Sequence, residues 1–218
     1  MPRTARLVVP GIPHHVTQRG NRRQPVFFSD EDYRLYLRLL KVAVDKAGTR
    51  VWAWCLMPNH VHLILVPQTE DGLRASLAEV HRRYTAHVNQ REGWRGHLWQ
   101  SRFASFPMDE EWLLAAARYV ELNPVRAGLV QRPEQWDWSS ARTHLGLHRD
   151  GLTEAEPLLE RVSDWATLLE SGLEEPRLEE LRARERTGYA LGGTPFLERI
   201  AAATGRDLAP RPRGRPKK

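Results

Sequence analysis

The stretch that most constrains the fold runs from residue 50 to residue 66. Residues 50–56 and 61–66 are β-rich runs joined by the tight link Met57-Pro58-Asn59, a spacing that predicts an antiparallel hairpin. Long helical signals flank it on both sides. Upstream, Ser29 stands as N-cap before Asp30, Glu31 and Asp32, and the helix runs to about Lys46, before Gly48. Downstream, Leu73, Leu77, Val80 and Tyr84 recur at helical spacing within residues 73–90, and Gly93 follows. Outer strand signals lie at residues 13–19, before the polar turn Gly20-Asn21-Arg22-Arg23, and at residues 98–108. The order is therefore β-α-β-β-α-β. It predicts an α+β, ferredoxin-like (split βαβ, RRM-like) antiparallel sheet with helices on one face, the plan also used by many RNA-recognition domains.

The second half of the hairpin carries chemistry. Side chains on a strand alternate faces, so His60 and His62 point to one side while Val61, Leu63 and Leu65 point to the other. Two imidazoles so placed suit two ligands of one metal ion, although an isolated His-x-His pair also arises by chance. Residues 110–124 read as another helix, rich in strong helix formers and acidic at its start. Within it Tyr119 and Asn123 are four residues apart and share a face, so the Asn123 amide oxygen is available as a third ligand. Pro124 biases Asn123 away from helical geometry and sets it at the helix end. The plain alternatives are a half-buried aromatic for Tyr119 and a C-cap for Asn123. His14 and His15 follow Pro13 and read as strand or turn residues, weak candidates for a catalytic base; His144 and His148 read as surface residues.

Charge points to the partner. The 218 residues carry 33 Lys plus Arg against 27 Asp plus Glu, a formal +6, which favours a polyanion such as nucleic acid. The distribution is uneven: residues 1–149 hold 21 basic and 14 acidic side chains, residues 150–180 hold 2 and 10, and residues 205–218 hold 6 and 1. Arg19, Arg22 and Arg23 in the first loop, Arg82 and Arg83 on the second long helix, and Arg102 beside Trp99 are the candidate DNA contacts. Arginines reach phosphates and guanine edges, and aromatic rings stack on unpaired bases. The single cysteine, Cys55, excludes a disulfide framework and a cysteine zinc site and reads as a core residue. No apolar run matches a signal peptide or a membrane span, so a soluble, cytoplasmic protein is expected.

Past residue 130 the pattern changes. Trp136-Asp137-Trp138 reads as a turn that packs tryptophans back onto the main domain, and residues 154–186 read as an acidic, weakly apolar helical stretch, expected as a solvated accessory helix or linker. The expected organisation is a main domain at 1–147, a helical accessory region at 148–204 and a disordered basic tail at 205–218. The Arg-Gly-Arg-Pro of that tail resembles a minor-groove AT-hook core, though general phosphate attraction already suffices to hold it near DNA.

Four blocks in this order carry a family resemblance: Val16-Thr17-Gln18-Arg19-Gly20-Asn21, Met57-Pro58-Asn59-His60-Val61-His62, Leu98-Trp99-Gln100-Ser101-Arg102-Phe103, and Arg118 through Gly128. Together they resemble the REP-associated tyrosine transposases, single-tyrosine HUH endonucleases, over about residues 1–147. The resemblance implies metal-dependent transesterification on single-stranded DNA. His60, His62 and Asn123 would match the metal ligands, with Mg²⁺ or Mn²⁺ as the ion, and Tyr119 the nucleophile that forms a 5′-phosphotyrosine. The substrate implied is a hairpin of the repetitive extragenic palindrome type, acted on by a monomer or homodimer. A rival from another class is a non-cleaving module that binds structured nucleic acid through the same sheet.

Overall fold

The computed structural model describes residues 6–206. Strands β1 (His14–Arg19), β2 (Arg50–Met57), β3 (His60–Val66) and β4 (Ala104–Pro107) form one sheet in the order β2-β3-β1-β4, with every neighbouring pair antiparallel. Helices α1 (Asp30–Ala47) and α2 (Gly72–Glu92) supply the crossovers. After β4 come α3 (Glu110–Glu121), α4 (Asn123–Arg126), α5 (Ala141–His144), α6 (Glu156–Leu159), α7 (Trp165–Glu170), α8 (Glu175–Thr187) and α9 (Thr194–Thr204). The expected ferredoxin-like order and its central hairpin are thus present. The hairpin turn is Pro58-Asn59, and Gly48 and Gly93 end α1 and α2 in left-handed geometry, as a C-terminal glycine permits. None of the helices among the described residues is long and apolar enough to cross a membrane.

Strand alternation makes both sheet faces apolar, and helices cover both rather than one. Val16, Val61, Leu63 and Leu65 pack with Tyr36 and Leu40 of α1 and with Leu77 and Tyr84 of α2. The opposite face presents Ala53, Cys55, Ile64, Val66 and Phe106 to Leu113, Ala116 and Val120 of α3 and to Leu178 and Leu181 of α8. A fully buried side chain of this size contributes about 1.5–3 kcal/mol, so neither layer is dispensable.

This second layer corrects the reading of residues 154–186 as solvated. Leu158, Trp165, Leu169, Leu178 and Leu181 are all buried in the cluster that this sheet face forms with α3, and the acidic residues between them face out. The tryptophan turn does pack back as expected: Trp138 stacks on Tyr33 with centroids 4.7 Å apart, and the Leu56 amide donates to its carbonyl at 2.8 Å. The last strand begins later than residue 98. Ser101 takes φ 130°, a region that disfavours side chains and interrupts extended pairing, so regular pairing starts at Ala104. The basic tail lies outside the described residues from 207 onward.

Candidate active site

Alternation turns His60 and His62 onto the face opposite α1 and α2. The register of β1 against β3 pairs Arg19 with His60 and Thr17 with His62, which brings His15 to the same face. The His60 and His62 rings lie 4.8 Å apart, steeply inclined, whereas His15 and His62 stack at 5.2 Å with Nε2 of His15 3.1 Å from Nδ1 of His62. Helix α3 packs over β2 and β3, and α8 over β4, so the imidazoles sit in the cleft between those helices.

Asn59 orients the first imidazole. Its Nδ2 donates to the Arg23 carbonyl at 3.0 Å, which turns its Oδ1 toward His60 Nδ1 at 2.6 Å. An amide oxygen only accepts, so the His60 proton resides on Nδ1 and Nε2 is left as a ligand atom.

From α3, Tyr119 presents its ring edge-on to His62 at 5.4 Å and to His15 at 5.7 Å, almost fully buried. The continuous helix expected through residue 123 breaks at Leu122, and Asn123 opens α4 with Pro124 in its first turn, where a missing amide donor is tolerated. The break carries Arg126 back over Tyr119, its guanidinium carbon 4.2 Å from the ring centroid. Asn123 is buried, and its Nδ2 has no hydrogen-bond partner among the described residues.

Glu185 reaches the same cleft from α8. Its Oε1 lies 3.6 Å from His62 Nδ1 and 3.9 Å from His15 Nδ1, and ligand atoms of the three side chains all fall within 4.8 Å of one another. Burial drives His15 and His60 down to about 3, with Arg126 adding to both and Arg19 to His60, and it drives His62 further down; the imidazoles are therefore neutral, as metal ligation requires. Burial also raises the Glu185 carboxyl to about 7, and burial followed by the Glu185 charge raises the Tyr119 phenol to about 12. Buried His15 Nδ1 and Glu185 Oε1 lack hydrogen-bond partners among the described residues. Unsatisfied nitrogen and oxygen donors without a thiolate fit a divalent ion.

Of the residues singled out from sequence, His60, His62 and Tyr119 converge, with Asn123 buried just beyond the break. Arg19 borders a cavity of about 240 Å³ with His60, Gln100, Ser101, Arg102 and Glu185. Arg22 and Arg23 are exposed beside it in the loop after β1. Arg82 and Arg83 are exposed on α2, which covers the other face of the sheet, and Arg82 is paired with Glu79 at 2.8 Å. Trp99 is not a surface stacking residue: it is buried among Tyr36, His81 and Tyr84, because the irregular segment before β4 turns its indole inward. His144, read as a surface residue, is buried with its Nδ1 2.6 Å from Glu121. Sequence reasoning gave Arg126 and Glu185 no role. Only the strand parity of His15, which the β1–β3 register sets opposite Ile64 and so on the face of His62, carried a signal.

Residues 8–123 match the sequence profile of the family described as Transposase IS200 like. A Haemophilus influenzae protein named for the REP-associated tyrosine transposases is 27% identical over 124 residues, covering 52% of this chain and 64% of that one. The chain thus spans a little under two thirds of that relative's length. The solved structure of a REP-associated tyrosine transposase bound to a REP hairpin superposes with a TM-score of 0.58 at 21% identity, covering 70% of this chain and 88% of that one. At that identity the likeness is one of fold.

Proposed function

The chain belongs to the IS200-like transposase family, and from that premise we propose that it cuts and rejoins single-stranded hairpin DNA of the repetitive extragenic palindrome type by transesterification through Tyr119. The observation that carries this reading is the convergence of a buried tyrosine from α3 on the paired imidazoles of β3, with the Tyr119 ring 5.4 Å from His62. DNA processing is assigned to residues 1–147, with the helices of 148–204 closing over it and the tail adding phosphate attraction.

Tyr119 Oη attacks the scissile phosphorus, the phosphorus–O3′ bond breaks, and the phenol proton is given up as the 3′-hydroxyl is formed. The 5′ phosphate stays on Tyr119. Attack by a 3′-hydroxyl on that phosphotyrosine restores the phosphodiester without ATP. Arg126, over the Tyr119 ring, stabilises the developing phenolate, and Arg19, Arg22, Arg23 and Arg102 hold the backbone on either side. His60 and His62, with Asn123 as third ligand, would hold Mg²⁺ or Mn²⁺; His15 and Glu185 stand in reach as additional donors through His62. Such an ion, when bound, would offset the charge of the scissile phosphate and fix its orientation.

The test is incubation of 3′-end-labelled single-stranded hairpin DNA, whose label lies on the fragment that stays on Tyr119, with protein and Mn²⁺, followed by denaturing electrophoresis. Label attached to the wild type and absent from Tyr119→Phe, with hairpin binding kept within a few-fold, is the expected result. Covalent attachment in Tyr119→Phe would refute the nucleophile. Cleaved DNA without attached label would make water the nucleophile, and binding without cleavage would favour the non-cleaving module.

A further inference from the structure

Six large apolar side chains are exposed among the described residues, and the two aromatic ones touch each other. Phe28 and Trp94 are 43% and 48% exposed and meet edge-on with centroids 5.8 Å apart, although 66 positions separate them in sequence. Both are held rigidly. The Phe28 amide donates to the Asp32 carboxylate at 2.8 Å, and that buried carboxylate also takes two hydrogen bonds from Arg91, whose guanidinium lies 5.6 Å from the Phe28 ring centroid. The Trp94 amide donates to the Asn89 carbonyl at 2.8 Å, and the Asn89 side chain donates to the Gly96 carbonyl at 3.0 Å, closing the loop after α2.

The neighbouring loop is equally fixed and strongly basic. Arg22 and Arg23 adopt φ 54° and 62°, left-handed geometry that costs a residue with a side chain on the order of 1–2 kcal/mol and persists only where the surroundings impose it. The surroundings are close: the Arg23 amide donates to the Gly20 carbonyl at 3.0 Å, and a Cβ at Gly20 would lie 2.3 Å from the Gln24 carbonyl oxygen and 2.8 Å from Val26, so the loop closes at this position only on glycine. The Asn21 amide donates to the Leu98 carbonyl at 2.8 Å, which ties this loop to the end of the Trp94 loop. Arg22, Arg23 and Arg95 are exposed and have no acidic partner among the described residues. Gly20 and Arg23 both bond to Asn59, the residue that orients His60.

We propose that Phe28 and Trp94, edged by Arg22, Arg23 and Arg95, form a stacking platform for unpaired bases of the DNA strand that leads to the His60 end of the site. This rests on the reading above that the chain acts on single-stranded DNA. Exposed rings offer their faces only to unpaired bases, and the unpartnered guanidinium groups supply the charge a phosphate backbone requires. The rigid anchoring means that little ordering cost is incurred on binding. Trp99, by contrast, is enclosed among Tyr36, His81 and Tyr84 and offers no face to a base.

The test compares two hairpins of the same stem, one blunt and one with a short single-stranded flank carrying 2-aminopurine at successive positions. Binding is read by anisotropy and stacking by 2-aminopurine quenching, with thermal melts to check folding. Trp94→Ala and Phe28→Ala should each weaken the flanked hairpin by about ten-fold and relieve quenching at one or two flank positions, as expected for the loss of one stacked base. The blunt hairpin should bind almost unchanged, and Trp94→Phe should restore most of the affinity. Wild-type affinity and quenching in both alanine variants would overturn the platform while leaving covalent attachment through Tyr119 intact. Equal weakening of both hairpins would assign the pair to the stem and overturn it as well. Concentration-dependent self-association of the wild type that Trp94→Ala abolishes, with flank binding unchanged, would make it a contact between copies. Failure of the wild type to bind either hairpin would remove the platform and the functional reading together.

Discussion

Arg126 stands over Tyr119 in two ways: its guanidinium carbon lies 4.2 Å from the ring centroid, and its Nη1 donates to the Tyr119 carbonyl at 2.9 Å. The cation opposes the rise in the phenol's pKa that burial and Glu185 cause, and the hydrogen bond spans the helix break at Leu122 to reach the last turn of α3, where Tyr119 sits. Arg126→Gln should therefore slow covalent attachment by ten-fold or more while hairpin affinity changes only a few-fold. Arg126→Lys should recover part of the rate, because an ammonium keeps the charge but lacks the planar fork that stacks and donates together. A single-turnover rate in Arg126→Gln within two-fold of wild type would dismiss this role.

Glu185 brings a carboxylate to the place where the reading puts a phosphate. With Oε1 at 3.6 Å from His62 Nδ1, it opposes any second negative charge in the cleft. Glu185→Gln keeps the shape and removes the charge the carboxylate carries above its value of about 7, so hairpin DNA spanning the scissile position should bind several-fold more tightly at low salt on the alkaline side of that value, measured by anisotropy without added metal. Unchanged affinity across the salt series would mean that the carboxylate moves aside on binding without electrostatic cost.

Much of this geometry was legible in the sequence because it follows from short-range periodicity. His60 and His62 share a face by the strand period of two, and the hairpin that presents them is fixed by its link length. Tyr119 was found because its helix is strongly patterned. Glu185 was not, since α8 is rich in charge and only Leu178 and Leu181 mark its buried side; nothing local says that a residue 66 positions beyond Tyr119 will face it. Trp99 was misread for a related reason. Residues 98–108 read as one strand, but Ser101 at φ 130° breaks the extended path, and the indole of Trp99 turns toward Tyr36 and Tyr84. Composition suggested nucleic acid, whereas only tertiary packing distinguishes an enclosed tryptophan from the exposed Trp94.

Acid stability should expose the buried histidines. His14 is fully buried, with Nδ1 2.7 Å from the Ile12 carbonyl and Nε2 accepting from the Val9 amide at 3.2 Å, and burial lowers it from 6.5 to about 4. Between those values the unfolded chain takes up a proton that the folded protein refuses. Stability is therefore fully present above pH 6.5 and is lost as pH falls toward 4, by about 3 kcal/mol for this residue. Urea unfolding across that range should show a shallower pH slope in His14→Gln than in wild type; identical slopes would show that His14 does not contribute.

Glu121 is the buried junction of three C-terminal elements. Its Oε1 accepts from Ser140 Oγ at 2.6 Å and lies 2.6 Å from His144 Nδ1, and its Oε2 accepts from Trp165 Nε1 at 2.9 Å. One carboxylate on α3 thus ties α5 and α7 to the helix that carries Tyr119. Removing it leaves donors buried and unpaired, so Glu121→Ala should cost about 3–5 kcal/mol. Glu121→Gln should cost about 1–3 kcal/mol, since the amide nitrogen cannot accept at every position the carboxylate serves. Denaturant midpoints measure both. Because the anchor lies two residues from Tyr119, Glu121→Gln should also lower the rate of covalent attachment under conditions where the protein remains folded. A destabilised variant with the full wild-type rate would confine Glu121 to holding the C-terminal layer, with no part in positioning Tyr119.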